Sequence, residues 1–288
     1  MKMIAAFCPG HITCFFHPVK SYDPMSAGSR GVGIKLSKGA TVTLEERRDD
    51  RIVTVMDGIE SSCRITKAAI REIDKHRGFD VTIENALPVG QGFGMSAAGS
   101  IAAALCVCEI NGKTIEDAFG AAHRSEIAEG GGYGDVSGIT GHSHIPVRSI
   151  VGLPPFGKVI NSGLRMKDVT VAVLGTPLDT GDTLSNEDTV SKIQEYGSRM
   201  VTDFIENPSL DLLFDYSKEF SESIGLETPE MKDALSALRK EGRAGMCMLG
   251  HSIFTDVSLK RTREILGDNL FITECHSTGS MPRIIRKS

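Results

Sequence analysis

The sequence predicts an α+β fold, because strand-like and helix-like segments follow one another irregularly in both halves of the chain. Residues 79–84 alternate apolar and polar side chains, which is typical of a strand with one face in water. Residues 63–76 instead place Ile65, Ala69 and Ile73 on one stripe, which is typical of a helix. A parallel sheet would require strict alternation of strands and helices, and that alternation is missing.

The first 60 residues are expected to be rich in strands. Residues 1–7 are interpreted as a first strand, since Pro9 and Gly10 interrupt this run too early for a signal peptide. Residues 41–44 and 51–55 alternate in polarity on either side of a charged turn. We therefore predict that these two runs form a hairpin.

Two helices are expected after the strand-rich region. The first spans residues 96–110, is rich in alanine and stops at Gly112. The second begins at Thr114, which has the spacing of a capping pair with Asp117. Alanine and glycine in the first helix imply close packing against a neighbour.

The C-terminal half is also expected to contain both element types. Strands are predicted at residues 169–174, 245–249 and 270–274, and helices near residues 190–205, 210–224, 229–240 and 259–266. Residues 152–162 are loop-like, so we predict a boundary between one domain over residues 1–158 and a second over residues 159–288.

Composition excludes several classes of protein. The 288-residue chain has a net charge of −5, with 40% hydrophobic and 24% charged residues, close to the averages for globular proteins. A nucleic-acid-binding protein would need a clustered basic face, and no apolar run approaches the roughly 20 residues of a membrane span. The seven cysteines are odd in number and lack C-x-x-C spacing, which is typical of buried thiols in a reducing cytoplasm.

Two patterns are rejected as ligand sites. Residues 152–159 nearly match a P-loop, but Val159 has no hydroxyl for Mg²⁺ and two prolines remove N–H donors. His142 and His144 have no acidic or cysteine partner at ligand spacing, so a polar loop is expected there.

The strongest functional signal is the glycine loop at residues 87–98. Gly90, Gly92 and Gly94 alternate with other residues and lead straight into a predicted helix. Glycine lets the backbone turn and approach a ligand, and the N–H groups and dipole at a helix start bind phosphate. Ser96 at the junction could contact both phosphate and Mg²⁺. The alternative is a tight turn in which glycine serves only backbone geometry.

A second candidate site lies where four glycines precede Asp135 within residues 130–134. Glu126 lies on the apolar stripe of the preceding helix, and a carboxylate aimed inward normally has a cation partner. A salt bridge to lysine or arginine is the structural alternative to a catalytic role. Glu129 lies close to the same stripe, so helical geometry does not choose between the two glutamates.

A third candidate site combines His11, which follows Gly10, with Arg30, which lies between Ser29 and Gly31. The planar guanidinium of Arg30 could bind a carboxylate or a phosphate. An ordinary exposed arginine in a turn is equally compatible with the pattern.

Three motifs together resemble those of the GHMP kinases, the family of galactokinase, homoserine kinase, mevalonate kinase and phosphomevalonate kinase. Residues 88–98 are similar to the signature P-x-G-x-G-L-G-S-S-A-A, Pro9-Gly10 resembles the first motif, and residues 243–250 fall where the third belongs. The resemblance implies a ribosomal-protein-S5-like N-terminal domain and a ferredoxin-like C-terminal domain. ATP and substrate would meet in the cleft between them.

The resemblance also implies roles for individual residues. The ATP phosphates would be bound by Gly90, Gly92, Gly94, Met95, Ser96 and Ala97. Ser96 and Glu126 would hold Mg²⁺, and Asp135 would accept or orient the proton of the acceptor hydroxyl.

Within the family, residues 10–13, 28–31, 134–136 and 248–250 are most similar to the archaeal pantoate kinases. This similarity implies phosphorylation of the 4-hydroxyl of pantoate on an archaeal route to coenzyme A. Arg30 is then expected to bind the small hydroxy acid, with His11, Ser29 and Gly250 beside it.

Three departures from the family motifs affect the site. His11 stands where many relatives carry lysine or arginine, so the charge beside the acceptor is expected to depend on pH. Met95 replaces the first serine of the loop, and the third motif contains fewer glycines than in relatives.

Two alternative functions stay open. Another GHMP specificity, for homoserine, mevalonate or shikimate, would use the same phosphate chemistry. A catalytically silent ATP-binding protein on the same fold would have no need of the acid at Asp135. Relatives commonly form homodimers, but no apolar surface stripe in this sequence demands one.

Overall fold

The computed structural model describes residues 3–19, 21–178 and 187–287, so Met1 and Lys2 of the predicted first strand lie outside the described residues. In this part of the chain the strands are β1 Met3–Val19, β2 Gly28–Glu46, β3 Ile52–Met56, β4 Ile59–Glu60, β5 Phe79–Asn85, β6 Pro146–Ile150, β7 Lys158–Asn161, β8 Val169–Val173, β9 Ala244–Met246, β10 Ser252–Thr255, β11 Ile272–Cys275 and β12 Arg283–Lys287.

The α-helices of the same residues are α1 Arg64–Ile73, α2 Met95–Asn111, α3 Ile115–Ala128, α4 Asp135–Ile139, α5 Glu187–Glu206, α6 Leu210–Ile224, α7 Pro229–Leu238 and α8 Leu259–Leu266. The predicted capping pair is confirmed, because the Thr114 hydroxyl accepts the N–H of Asp117 while the Asp117 carboxylate accepts the N–H of Thr114. Helix α2 ends at Asn111 and is capped by Gly112, whose φ of 62° lies in the left-handed region.

The larger sheet has the order β12-β1-β2-β5-β3-β4, and β6 joins it through β2 and carries β7. Strands β1 and β2 pair antiparallel over almost their whole length, with shifts in register after Pro9 and Thr13. The long β1 brings His11 and Thr13 to the middle of the molecule, where β6 pairs with the start of β2.

The predicted hairpin between residues 41–44 and 51–55 is wrong. Strand β5 lies between β2 and β3, pairing antiparallel with β2 and parallel with β3. Helix α1 forms the crossover from β3 to β5. The charged turn supports this arrangement, because Arg47 pairs both with Asp49 in the turn and with Asp80 on β5.

Helix α2 is the central helix of the N-terminal half, and it packs on β1 and β2 between α1 and α3. It is buried from Ala97 to Cys108, as its composition predicts. Alanine and glycine side chains are small enough for the helix to lie close to the sheet and to both neighbouring helices. This packing fixes the start of α2, which is the end that carries Ser96.

The smaller sheet is antiparallel, with the order β11-β8-β10-β9. Helix α5 packs against β1 of the larger sheet, whereas α6 contacts both α5 and β9. Phe15 on β1 joins the two halves through edge-to-face contacts with Phe204 and Tyr216. The two sheets therefore share one continuous apolar core.

The division into domains at residues 158 and 159 stays a prediction. Strand β7 spans this point and pairs with β6, and β12 returns from the C-terminal half to pair with β1. Within the described residues no helix has the length and apolar character needed to cross a membrane. The cysteines are free thiols, and Cys63 alone is not buried.

Candidate functional site

A cleft of about 270 Å³ lies where the glycine loop, the start of α2 and the turn after α3 meet. Strand β1 contributes Thr13 to its wall, β2 contributes Ser29 and β6 contributes Arg148. Met248 and Leu249, from the segment after β9, close the side that faces the smaller sheet. The cleft therefore gathers residues from both halves of the chain.

The three glycines of the loop need the conformations that they adopt. Gly90, Gly92 and Gly94 have φ values of 73°, 73° and 65°, in the left-handed region that favours glycine. A Cβ atom on Gly92 would lie 2.7 Å from the carbonyl oxygen of Met248, and one on Gly94 would lie 2.9 Å from that of His11. Backbone turning and close packing thus both require glycine here.

Only one side chain at the start of α2 faces the cleft freely. Ser96 is exposed there, whereas Ala97 is fully buried and Met95 is turned into the core, close to Gly10. Met95 and Ala97 can therefore offer a ligand their backbone N–H groups alone. The first N–H groups of a helix have no acceptor within the helix, so this end is suited to a phosphate.

The segment after β9 packs against the glycine loop and stabilises it. Ser252 donates a hydrogen bond to the carbonyl oxygen of Gln91, and the Gln91 side chain donates to that of Gly175. A Cβ atom on Gly250 would lie 2.1 Å from the backbone of Gln91. Gly250, which we expected to bind substrate, is instead buried against the loop, because its close approach to Gln91 turns it away from the cleft.

Glu126 is the glutamate of α3 that points into the molecule. Its side chain is 2% exposed, and no hydrogen bond or ion pair joins its carboxylate to the described residues. Burial, with a smaller effect of the Asp135 charge, raises the pKa of Glu126 well above its ordinary value. Glu129 lies at the rim, where Arg64 approaches it to 3.9 Å. The tertiary structure thus chooses between the two glutamates, and it provides no salt bridge for Glu126 among the described residues.

Asp135 is the first residue of the short helix α4 and lines the cleft. Its Oδ1 atom lies 2.8 Å from Nδ1 of His11. A Cβ atom on Gly132 would lie 3.1 Å from the other oxygen, Oδ2, and 3.7 Å from Oε2 of Glu126. The glycine-rich turn therefore lets both carboxylates occupy one wall of the cleft.

His11 is fully buried beneath this wall and does not line the cleft. Burial is the main cause of a lowered pKa for His11, and the charges of Arg148 and Lys35 lower it further, against the opposing effect of Asp135. The imidazole is therefore neutral at neutral pH. The expectation that His11 contacts substrate with a pH-dependent charge is not supported by this geometry.

Arg30 does not reach the cleft, contrary to our expectation. Successive side chains of a strand point to opposite faces, so Ser29 lines the cleft while Arg30 turns away from it. The Arg30 guanidinium donates to the carbonyl oxygen of Ser149 and to the hydroxyl of Thr202.

Arg148 is the cleft residue that sequence reasoning missed. It is 1% exposed, and it donates from Nε to the carbonyl oxygen of Ser29 and from its Nη atoms towards Thr13 Oγ1. Burial lowers the pKa of Arg148 to about 10, which still leaves it charged at neutral pH. No ion pair joins it to a carboxylate of the described residues. Its signal in the sequence is a single charge within the mostly apolar residues 145–151.

A second cavity of about 230 Å³ adjoins the first at Ser96. Its lining is partly apolar, with Met56, Ile83 and Val89 among the residues that line it. Asn85 and Cys63 add polar atoms on its walls. Asp135 does not line this cavity, and a long ligand could extend from the cleft past Ser96 into it.

The two rejected patterns remain unconnected with the cleft. Residues 151–157 link β6 to β7, and none of residues 152–159 lines the cleft. His144 Nδ1 lies 2.9 Å from the carbonyl oxygen of Ser277, so this ring stabilises a loop. Among the described residues no group of three or more histidine, cysteine, aspartate or glutamate side chains has the geometry of a metal site.

Comparisons with known proteins agree on one family. The family model described as GHMP kinases N terminal domain matches residues 63–141. A pantoate kinase of Thermococcus kodakarensis is 30% identical over 286 residues, covering 92% of both chains. A pantoate kinase of Methanospirillum hungatei is 32% identical over 266 residues, covering 88% of this chain and 87% of that one.

Solved structures give the same result for the fold. One described as a phosphotransferase related to the coenzyme A biosynthesis pathway has 29% identity and a TM-score of 0.88, and covers 99% of both chains. A homoserine kinase of Cytophaga hutchinsonii, at 15% identity and a TM-score of 0.69, covers 98% of this chain and 97% of its own and shares the fold.

Proposed function

This chain belongs to the GHMP kinase family, and on that premise we propose that it transfers the γ-phosphoryl group of ATP to the 4-hydroxyl of pantoate. The observation that carries the proposal is the position of Asp135. It lies in the same cleft as the glycine loop and the start of α2, between buried Glu126 and buried Arg148. A carboxylate suited to accept a proton, a loop suited to bind an anion, and a cation without an ion pair among the described residues thus face one small space.

The glycine loop and the first N–H groups of α2 would bind the β- and γ-phosphates. Phosphoryl transfer depends mainly on positioning and on electrostatic stabilisation of charge on the phosphate oxygens. Ser96 Oγ adds a hydroxyl to the backbone donors. The neighbouring cavity, which meets the cleft at Ser96, has the partly apolar lining that an adenine base requires.

Ser96 and Glu126 fit a site for Mg²⁺. Magnesium prefers oxygen ligands and is usually held by one or two protein groups together with substrate phosphates. The carboxylate of Glu126 is buried without a cation partner among the described residues, which is costly unless a cation binds there. A bound Mg²⁺ would neutralise negative charge on the transferred phosphoryl group.

Asp135 would accept the proton of the 4-hydroxyl group while the oxygen of that hydroxyl attacks the γ-phosphorus. An oxygen–phosphorus bond then forms, the bond to ADP breaks, and the proton rests on the carboxyl group of Asp135. Arg148, rather than Arg30, would bind the carboxylate of pantoate, with Ser29 beside it. The fork of a guanidinium matches a carboxylate in a way that a surface lysine does not.

The direct test is an assay over a panel of small alcohols with ATP and Mg²⁺. Pantoate, homoserine, mevalonate and shikimate would be compared by ADP release, and ³¹P NMR would identify the phosphorylated oxygen. We expect the highest kcat/KM with pantoate and the phosphate on its 4-oxygen. A higher kcat/KM with another alcohol would overturn the assignment of pantoate, and nucleotide binding without turnover on any alcohol would overturn the assignment as a kinase.

A further inference from the structure

Among the described residues, His11 is the side chain that makes a direct hydrogen bond to the carboxylate of the proposed base, Asp135. We propose that His11 is a positioning residue, which holds Oδ1 of Asp135 by an Nδ1–H donor and so leaves Oδ2 as the atom that accepts the hydroxyl proton. The role of Asp135 as a base rests on the proposed function, whereas the hydrogen bond between His11 and Asp135 is independent of it. His11 is fully buried, so it acts through Asp135 and not on a substrate.

The surroundings of the ring determine which nitrogen carries the proton. Nε2 of His11 is buried and has no hydrogen-bond partner. A Cβ atom on Gly33 would lie 2.3 Å from Nε2, and one on Gly138 would lie 2.5 Å from it. These two glycines therefore enclose Nε2 between backbone atoms. A buried N–H without an acceptor is costly, whereas Nδ1 faces a carboxylate oxygen at 2.8 Å.

Titratable groups on three neighbouring elements face the His11–Asp135 pair. Arg148 approaches from β6, Lys35 from β2, and Glu126 lies beyond Asp135 on α3. Both cations oppose a positive charge on the ring, as does its burial. The ring is therefore a neutral donor, unlike a lysine or arginine at this place, and it leaves the charge of Asp135 uncompensated by an ion pair.

The arrangement separates the two oxygens of Asp135 by function. Oδ1 accepts a hydrogen bond from Nδ1 of His11, and Oδ2 lies on the side of Gly132 and Glu126. A carboxylate that is free to rotate would present either oxygen, and the accepting oxygen would be positioned less precisely against the acceptor hydroxyl. Catalytic groups are sensitive to such misplacement, since an error near 1 Å can cost about 100-fold in rate.

Two substitutions of His11 separate positioning from packing. His11→Leu keeps the apolar volume but removes the donor, and His11→Asn retains an N–H close to the place of Nδ1. We expect kcat to fall about 10- to 100-fold in His11→Leu, with the KM for ATP little changed. His11→Asn should recover most of kcat. His17→Leu, on the same strand with its ring on the carbonyl oxygen of Gln194, is the matched control and should retain the wild-type kcat.

A wild-type kcat in His11→Leu would overturn the proposal, and so would an equal loss in a folded His11→Asn. A second measurement uses the wild-type protein alone, so it requires neither a substrate nor a substituted variant. ¹⁵N NMR of the wild-type protein at neutral pH should show His11 protonated on Nδ1 and bare on Nε2. The opposite tautomer or a doubly protonated ring would overturn the proposal, even if pantoate proves to be the substrate. The expected tautomer would support the hydrogen bond even if the substrate panel fails.

Discussion

Arg148 donates a 3.2 Å hydrogen bond from Nε to the carbonyl oxygen of Ser29, the residue directly before Arg30. One arginine thus reaches the cleft from β6, while the arginine adjacent in sequence to the cleft residue turns away on β2. The contact crosses two strands that pair only near Gly31 and Val32. The cleft is therefore lined by Arg148, more than a hundred positions away in sequence, and not by Arg30 of the local motif.

We predict that Arg148→Lys raises the KM for pantoate by about 10- to 100-fold. A charge-assisted hydrogen bond contributes about 1.5–3 kcal/mol, and lysine cannot replace the bidentate fork. The KM for ATP should change little, because the glycine loop and the start of α2, not Arg148, are proposed to bind the phosphates. Steady-state kinetics with each substrate varied in turn would measure both constants.

Arg30→Lys is the matched control for this change, and it should leave both KM values near those of the wild type. If Arg30→Lys weakens pantoate binding as much as Arg148→Lys does, the assignment of the carboxylate to Arg148 is wrong.

Asp135→Asn should lower kcat by about 100- to 10,000-fold, the usual contribution of a general base. Asparagine keeps the size of the side chain but does not accept the hydroxyl proton. ATP affinity, measured by calorimetry, should stay within a few-fold of the wild type. Full turnover in this variant would remove the proton-accepting role from Asp135.

Glu126→Gln is expected to stabilise the protein when Mg²⁺ is absent and to weaken its activity. The substitution removes a buried carboxylate that lacks a partner among the described residues, so the melting temperature should rise by a few degrees. The Mg²⁺ concentration for half-maximal activity should increase by at least about 10-fold. Thermal shift with and without Mg²⁺ and a nucleotide analogue would measure the first effect, and a Mg²⁺ titration of activity the second. An unchanged Mg²⁺ requirement would contradict the ligand role.

Gly92→Ala should abolish most nucleotide binding. Alanine at a φ of 73° is strained, and its Cβ would lie 2.7 Å from the carbonyl oxygen of Met248, so the loop must move. Gly112→Ala supplies the control, since its φ of 62° is equally strained but nothing lies within 4 Å of the added atom. The control should lose about 1 kcal/mol of stability and keep its nucleotide affinity. Equal affinities in the two variants would argue against a shaped phosphate loop.

Stability should rise with pH above 8 because of Lys35. This lysine is fully buried and donates to the carbonyl oxygens of Ile139 and Gly141, at the end of α4. Burial lowers its pKa from 10.5 to about 8. Between these pH values the unfolded chain holds a proton that the folded protein has released, so the free energy of unfolding increases with pH.

Lys35→Met provides the comparison for that pH effect. Between pH 7.5 and pH 10 the stability of the wild type relative to Lys35→Met should increase by about 2 kcal/mol, as measured by urea denaturation. A difference that stays constant over this range would show that Lys35 keeps its ordinary pKa.

Local patterns predicted most elements correctly, because short-range physics determines them. The alternation at residues 79–84 became β5, and the alanine-rich segment after the glycine loop became α2. Capping side chains and glycine mark helix ends wherever they occur, so the limits of α2 and α3 agree with the predictions to within a residue or two.

The pairing of strands was not determined locally. Two alternating runs on either side of a charged turn favour a hairpin, but the crossover through α1 inserts β5 between them. The partner that displaced the hairpin lies about 25 residues away from β3, beyond the range of any turn signal. Arg148 was missed for a similar reason, since its role depends on which strand lies beside β2.

By itself the sequence determined most helices and strands, the glycine loop and the membership of the GHMP kinase family. Backbone conformation and motif spacing depend mainly on residues that are close in sequence. Only the tertiary structure showed that Glu126 is buried while Glu129 is exposed, that Arg148 rather than Arg30 lines the cleft, and that His11 is buried. These differences depend on which side chains are buried away from solvent and which charged groups lie next to them. Such surroundings exist only after distant strands and helices have packed together.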